Sequence, residues 1–357
     1  MTAGNPAFLE HLSQVDAAWL EVVLAQAGYP AARVESFAMT PIGAGNVGDT
    51  VRVEMALAGD AHAPATMICK FSASNETAHA HGAGSGSYAR EVETYRNFSR
   101  SGSVCRVPRL FWVAGGDAGI NLVLEDLTAT TRPGNQIAGC TVAEAGSVID
   151  ELARLHRFYF PMSADAVPGW ALTMAAGADY WSGAIARALP IVRENDHGRL
   201  DGEEWRLITL ANEKAGDWYR LPVARGTLTH GDPRVDNILF EDGPGGPAAI
   251  VLDWQMTGWR NPMHDVGYFL SGSVSVEDRR NHDRALLARY LEVFGPDRGY
   301  APAQIEADYR VQLLSGLMTT LAAYSVLPIT THVDQLLITL LKRNLAAVSD
   351  WRSLEAF

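Results

Sequence analysis

Hydrophobic and polar positions change period about a third of the way along the chain. Over residues 14–27 the apolar side chains recur at helical spacing, Asp16 stands where an N-cap belongs, and Gly28, Tyr29 and Pro30 close the segment. Alternation then takes over. Val34 to Met39 reads as a strand. After a glycine-rich turn, Val51, Val53, Met55 and Leu57 share one face of a second strand, and residues 66–72 (TMICKFS) make a third, apolar except for Lys70. Residues 72–87 are small, polar and glycine-rich, which predicts a mobile loop. Helical spacing returns over 88–100, and two more strands are expected at 110–115 and 120–127.

From Thr128 onward helical patterns dominate, over 141–158, 176–193, 202–218, 278–294, 303–326 and 332–348. The exception is a β patch, NILF (237–240) and AAIVLDW (248–254), joined by the turn residues of EDGPGG. Strands first and helices later predict an α+β protein of two packed lobes. The β-rich N-terminal lobe is expected over 1–126 and a larger, mostly helical lobe over 127–357. A length of 357 residues suits two cores better than one.

Composition narrows the classes. The net charge of −12 argues against a general affinity for nucleic acid, which needs a basic stripe. It leaves room for phosphate ligands, since a few local cations and one metal ion override the mean field. Three cysteines far apart in sequence (Cys69, Cys105, Cys140) have no metal-type spacing and fit a reducing, cytoplasmic setting. No basic-then-apolar segment opens the chain, so no signal peptide is expected. The most apolar stretch, Leu313 to Leu327, is interrupted by Ser315, Gly316, Thr319, Thr320 and Ser325 and reads as a buried helix, not a membrane span.

The sharpest motif is THGDPRVDNILF, 229–240. His230, Asp232 and Asn237 form H-x-D-x-x-x-x-N, the spacing of a kinase catalytic loop. The chemistry explains the residue types. A carboxylate at Asp232 can meet an attacking hydroxyl and take or orient its proton. The amide oxygen of Asn237 is a hard ligand for magnesium that adds no negative charge beside phosphates. Asp253 ends an apolar strand, where a carboxylate can chelate a metal bridging the terminal phosphates. Upstream, Gly43, Gly45 and Gly48 match G-x-G-x-x-G. That motif opens a helix in dinucleotide-binding proteins; here it leads into the alternating VRVEMAL, as in a loop folded over nucleotide phosphates, although an ordinary glycine-rich hairpin has the same pattern.

On these residues, roughly from 35 to 345, the chain resembles the aminoglycoside phosphotransferase and choline kinase-like family, in the branch with HGD-x-R-x-D-N followed by Asp-Trp. The resemblance implies a protein-kinase-like two-lobed fold and transfer of a γ-phosphate from ATP or GTP, with Mg2+, to a hydroxyl of a small molecule. It implies that Lys70 pairs with the α- and β-phosphates and with a glutamate on the next helix. At 100° per residue Glu91 lies beside the Tyr88–Val92–Tyr95 face and Glu93 points away, so Glu91 is the expected partner. It further implies a hinge at Glu125 to Leu127 for the adenine edge and an Asp265 that braces the catalytic loop from a helix start. His230 is expected to hold the loop by packing and hydrogen bonding, and His156 to be a core or loop-bracing histidine. Arg234 is open between binding substrate, binding phosphate and pairing with Asp236.

Asp253 is followed by Trp254-Gln255 instead of Phe-Gly, and no activation segment follows. Both departures count against a protein kinase. A nucleotide-binding regulator of the same fold is the other alternative; a nicotinamide-dependent oxidoreductase gives Asp232, Asn237 and Asp253 no role.

Overall fold

The alternating segments of the first third form one antiparallel sheet. Its strands are β1 (Arg33–Pro41), β2 (Gly48–Ala58), β3 (Thr66–Ser72), β4 (Leu110–Gly116) and β5 (Gly119–Glu125), in the order β1-β2-β3-β5-β4. Side chains alternate between the faces. Met67, Cys69 and Phe71 of β3 therefore join Val51, Val53 and Val123 on one side, where they pack with Trp19, Leu20, Val23 and Leu24 of α1 (Ala17–Gln26). Burying each large apolar side chain contributes roughly 1.5–3 kcal/mol. The Asp16 carboxylate caps α1 through the Trp19 N–H at 2.7 Å, as expected.

The computed structural model describes residues 4–43, 47–102 and 104–357. Cα proximity divides the chain into two compact units, Met1–Thr131 with Asp253–Met256, and Arg132–Leu252 with Thr257–Phe357. The expected boundary at 126/127 thus moves to 131/132, and four residues from far downstream join the first unit. Packing explains their allegiance. The Trp254 ring meets Phe98 edge-on at 4.7 Å between centroids, and Arg90 Nε donates to the Gln255 carbonyl at 2.6 Å. Both anchors lie on α3 (Ser87–Ser101).

The mobile loop expected at 72–87 is instead largely a helix, α2 (Glu76–Gly84). Asn75 caps it through the Ala78 N–H at 3.0 Å. Its glycines read as loop signals, but Gly82 is buried against the Tyr88 ring and Val47, where a side chain has no room. Close packing, not freedom, is the reason for glycine there.

The second unit is mostly helical: α4 (Val142–Tyr159), α5 (Ala178–Asn195), α6 (Gly202–Tyr219), α7 (Met263–Ser273), α8 (Val276–Phe294), α9 (Pro302–Gln312), α10 (Leu314–Val326) and α11 (Thr331–Asp350). Its short strands are β6 (Arg132–Pro133), β7 (Leu172–Thr173), β8 (Thr227–Thr229), β9 (Ile238–Gly243), β10 (Gly246–Val251) and β11 (Gly258–Arg260). They form two three-stranded sheets, β10-β9-β6 and β7-β11-β8. Leu314, Leu317, Met318 and Leu321 of α10 are fully buried and pack with α5, α6 and α11. The single helix expected over 303–326 is two. Gly267 of α7 lies against the backbone at the junction, and a Cβ on it would come within 2.6 Å of the Gln312 carbonyl oxygen. No helix among the described residues is long and apolar enough to cross a membrane.

Candidate active site

In the first unit, Lys70 is on the central strand β3 and faces away from α1. Its Nζ lies 2.9 and 2.8 Å from the two carboxylate oxygens of Glu91 and 3.4 Å from Asp253 Oδ1. Burial opposes the Lys70 charge, but Asp253 and Glu91 outweigh it and hold its pKa above the ordinary lysine value. Burial pushes the Glu91 carboxyl up to about 7, against the pull of Lys70. Glu93 pairs instead with Arg96 on its own helix at 2.5 Å. Asp253 has φ +61°, a left-handed conformation uncommon for a residue with a side chain. Its carboxylate is 37% exposed, so the turn that Trp254 and Gln255 anchor presents a reachable anion beside Lys70.

Of the glycine motif, Gly43 has φ +72° and Gly48 begins β2, where a Cβ would lie 2.8 Å from the Phe71 carbonyl oxygen. Gly45 lies outside the described residues. The Tyr88 hydroxyl donates to the Val47 carbonyl at 2.7 Å and accepts the Ala73 N–H at 3.1 Å, tying the end of the turn to the start of α3. At the expected hinge, Glu125 exchanges backbone and side-chain bonds with Arg109. The Leu127 carbonyl is engaged by the N–H groups of Thr130 and Thr131.

In the second unit, β8 delivers His230, and Gly231 (φ +89°) turns the chain toward Asp232. The fully buried Asp265, in the first turn of α7, accepts the N–H groups of His230 at 2.6 Å and Gly231 at 2.9 Å and contacts His156 Nε2 at 3.1 Å. Burial would raise the Asp265 pKa, but hydrogen bonds with His156 and His264 hold it well below the carboxylate range. The Asp232 N–H reaches His230 Nδ1 at 3.2 Å, so the ring proton sits on Nε2, which donates to the Leu252 carbonyl at 2.7 Å.

Three side chains meet the Asp232 carboxylate. The Tyr268 hydroxyl donates to Oδ1 at 2.6 Å, Arg234 Nε lies 3.1 and 3.3 Å from the two oxygens, and Asn237 Nδ2 lies 3.4 Å from Oδ2. Asn237 Nδ2 also donates to the Asp232 carbonyl at 2.9 Å, which directs its amide nitrogen inward and leaves the amide oxygen to meet other groups. Asp236 accepts the Gln136 N–H at 2.7 Å, and Gln136 Oε1 accepts the Val235 N–H at 2.8 Å. Gln136, Tyr268 and Arg90 thus brace site residues without any motif marking them. Arg90 alone had a local signal, as the neighbour of Glu91 in α3.

A strand lysine paired with a helix glutamate and an H-x-D-x-x-x-x-N loop braced by a buried aspartate define a protein-kinase-like phosphotransferase. The model of the phosphotransferase enzyme family matches residues 39–303, and the chain belongs to that family. Among solved structures, it is similar to a choline kinase from Cryptosporidium parvum Iowa II (TM-score 0.55, 9% identity, 90% of this chain and 91% of that one). It is also similar to an ethanolamine kinase from Plasmodium vivax (TM-score 0.51, 10% identity, 90% and 84%). A gentamicin complex of the aminoglycoside phosphotransferase APH(2'')-IIa is similar as well (TM-score 0.50, 16% identity, 93% and 96%). At these identities the likeness establishes the fold. No curated protein sequence matches the chain.

Proposed function

We propose that the protein transfers the γ-phosphate of ATP or GTP to a hydroxyl group of a small molecule, with magnesium. The observation that carries this reading is the Lys70 ammonium held between Glu91 and a partly exposed Asp253 in a left-handed turn. A lysine fixed in this way is a point charge for phosphate oxygens. Asp253 and Asn237 would hold the metal. Two protein oxygens suit magnesium, which keeps several waters and takes the rest of its shell from phosphates. When bound, the metal neutralises charge on the transferring group.

Asp232 is the group that accepts or orients the proton of the acceptor hydroxyl. Tyr268 and Arg234 fix its carboxylate, so its direction is set before substrate arrives, and catalysis of this kind is mostly positioning and electrostatics. Asp265 and His230 act one step back, by holding the loop backbone. The neighbouring folds include kinases of choline and ethanolamine and an aminoglycoside phosphotransferase, which supports a small polar alcohol as acceptor.

The test is thermal stabilisation by ATP and by GTP, with and without magnesium, in the wild type and Asp253→Ala. Ligand at 100 times its dissociation constant adds about 2.7 kcal/mol. Magnesium-dependent stabilisation lost in the variant is expected. No stabilisation by either nucleotide at any magnesium level would sink the proposal.

A further inference from the structure

In a chain with net charge −12, five arginines converge on one cavity of about 520 Å3 in the second unit. Arg279, Arg280 and Arg284 come from the first turns of α8, Arg310 from α9, and Arg352 from just past the end of α11. Two carboxylates share the lining, Asp283 and Asp350. Both are already committed. Asp283 takes Arg279 Nη1 at 2.8 Å, the Tyr309 hydroxyl at 3.0 Å and the Trp351 indole N–H at 2.8 Å. Asp350 takes Arg279 Nη2 and the fork of Arg280, at 2.8 and 3.0 Å.

Of the remaining cations, Arg284 and Arg310 are only lightly compensated. Arg284 has Glu306 at 3.8 Å and is largely exposed. Arg310 Nη2 donates to a backbone carbonyl, that of Arg352 at 3.1 Å. Arg352 pairs with Glu355 three residues on. Arg279 is 1% exposed, and both its Nε and that of Arg310 are buried without an acceptor. Arg352 also has φ +50°, at a helix C-terminal position where glycine is the ordinary choice. The chain keeps a guanidinium there in spite of the backbone conformation. An anion entering between Arg284 and Arg310 meets planar donors suited to phosphate.

We propose that this cavity binds a small molecule carrying two or more phosphate groups. A concave site of this volume falls in the range of small-molecule pockets, and cations contributed by two helices and the turn after a third call for an anion with more than one charged centre. None of the lining residues belongs to the Lys70 or Asp232 sets, so the site does not depend on the kinase reading.

Isothermal titration of the intact protein with sodium tripolyphosphate, in EDTA and low salt, tests this. Four proteins are compared: wild type, Lys70→Ala, the double variant Arg284→Gln/Arg310→Gln, and Arg284→Glu. Circular dichroism checks each fold; the mostly exposed Arg284→Glu gives the answer should the double variant not fold. Saturable binding that persists in Lys70→Ala and weakens at least tenfold in the arginine variants is expected, with orthophosphate at least tenfold weaker than tripolyphosphate. Three results would each overturn the site: no saturable binding, binding unchanged in the arginine variants, or orthophosphate binding as tightly as tripolyphosphate.

Discussion

The Tyr268 hydroxyl donates to Asp232 Oδ1 at 2.6 Å from a ring that is itself buried in α7. Burial, and then the Asp232 charge, raises the Tyr268 pKa well above that of an ordinary phenol, so the hydroxyl keeps its proton and remains a donor. Removing that proton donor leaves Asp232 oriented by Arg234 and Asn237 alone. A hydrogen bond to a charged group is worth about 1.5–3 kcal/mol. In Tyr268→Phe the turnover number for transfer should fall about tenfold or more, while magnesium-nucleotide affinity stays at the wild-type value. Steady-state kinetics paired with nucleotide titration checks this; an equal loss in both would mean that Tyr268 supports the fold of the loop and not the carboxylate.

On the proposed mechanism Asp232 and Asp253 carry different tasks and should fail differently. Asp232→Ala is expected to keep nucleotide binding and lose transfer by orders of magnitude, since positioning and charge are most of the catalysis. Asp253→Ala should weaken magnesium-nucleotide binding itself. The pair is read by nucleotide titration and single-turnover transfer on the same preparations. Matching defects in both steps for both variants would contradict the division of labour.

Two glycines of α2 should respond to alanine with opposite signs. A Cβ on Gly82 would lie 2.5 Å from Tyr88 Cζ and 2.7 Å from Val47 Cγ1, displacing the tyrosine that ties Val47 to Ala73. Overpacking of this kind costs about 1–3 kcal/mol and exceeds the gain in helix propensity. Gly84 meets nothing within 4 Å, so Gly84→Ala keeps the propensity gain, up to about 1 kcal/mol. Denaturant unfolding of both variants decides it. Destabilisation by both, or by neither, would mean that α2 does not hold this packing in solution.

What could be read from the sequence follows the range of the interactions. The proposed catalytic loop is contiguous, so H-x-D-x-x-x-x-N displayed its residues directly, and the turn of a helix was enough to choose Glu91 over Glu93 as the partner of Lys70. Tyr268 reaches Asp232 only because α7 is anchored by Asp265 beneath the loop, a relationship no local pattern carries. Gln136 is a hundred residues from the Asp236 it contacts. The segment 72–87 misled for a different reason. Glycine marks both conformational freedom and close approach, and composition alone cannot separate them until Tyr88 is seen against Gly82. The allegiance of Asp253–Met256 likewise depends on Phe98 and Arg90, which are reached only through the fold.

The Glu91–Lys70 pair gives the protein a pH signature with a definite sign. Burial pushes the Glu91 carboxyl up to about 7 from an ordinary 4.5. A folded-state pKa above the unfolded one means that the folded chain binds the proton more tightly. The stability that Glu91 contributes by this route is therefore full below pH 4.5 and is lost as pH rises through 7. The advantage of the wild type over Glu91→Gln should accordingly be larger at pH 5 than at pH 8, measured by denaturant unfolding at both values. Function runs the other way. Above pH 7 the ionised Glu91 fixes the position of the Lys70 ammonium, and below it that ion pair is lost. Magnesium-nucleotide affinity in the wild type should then fall as pH drops from 8 to 6, and the Glu91→Gln variant should lack that step. A stability advantage that grew with pH would mean that the attraction of Lys70 outweighs burial, with Glu91 ionised throughout.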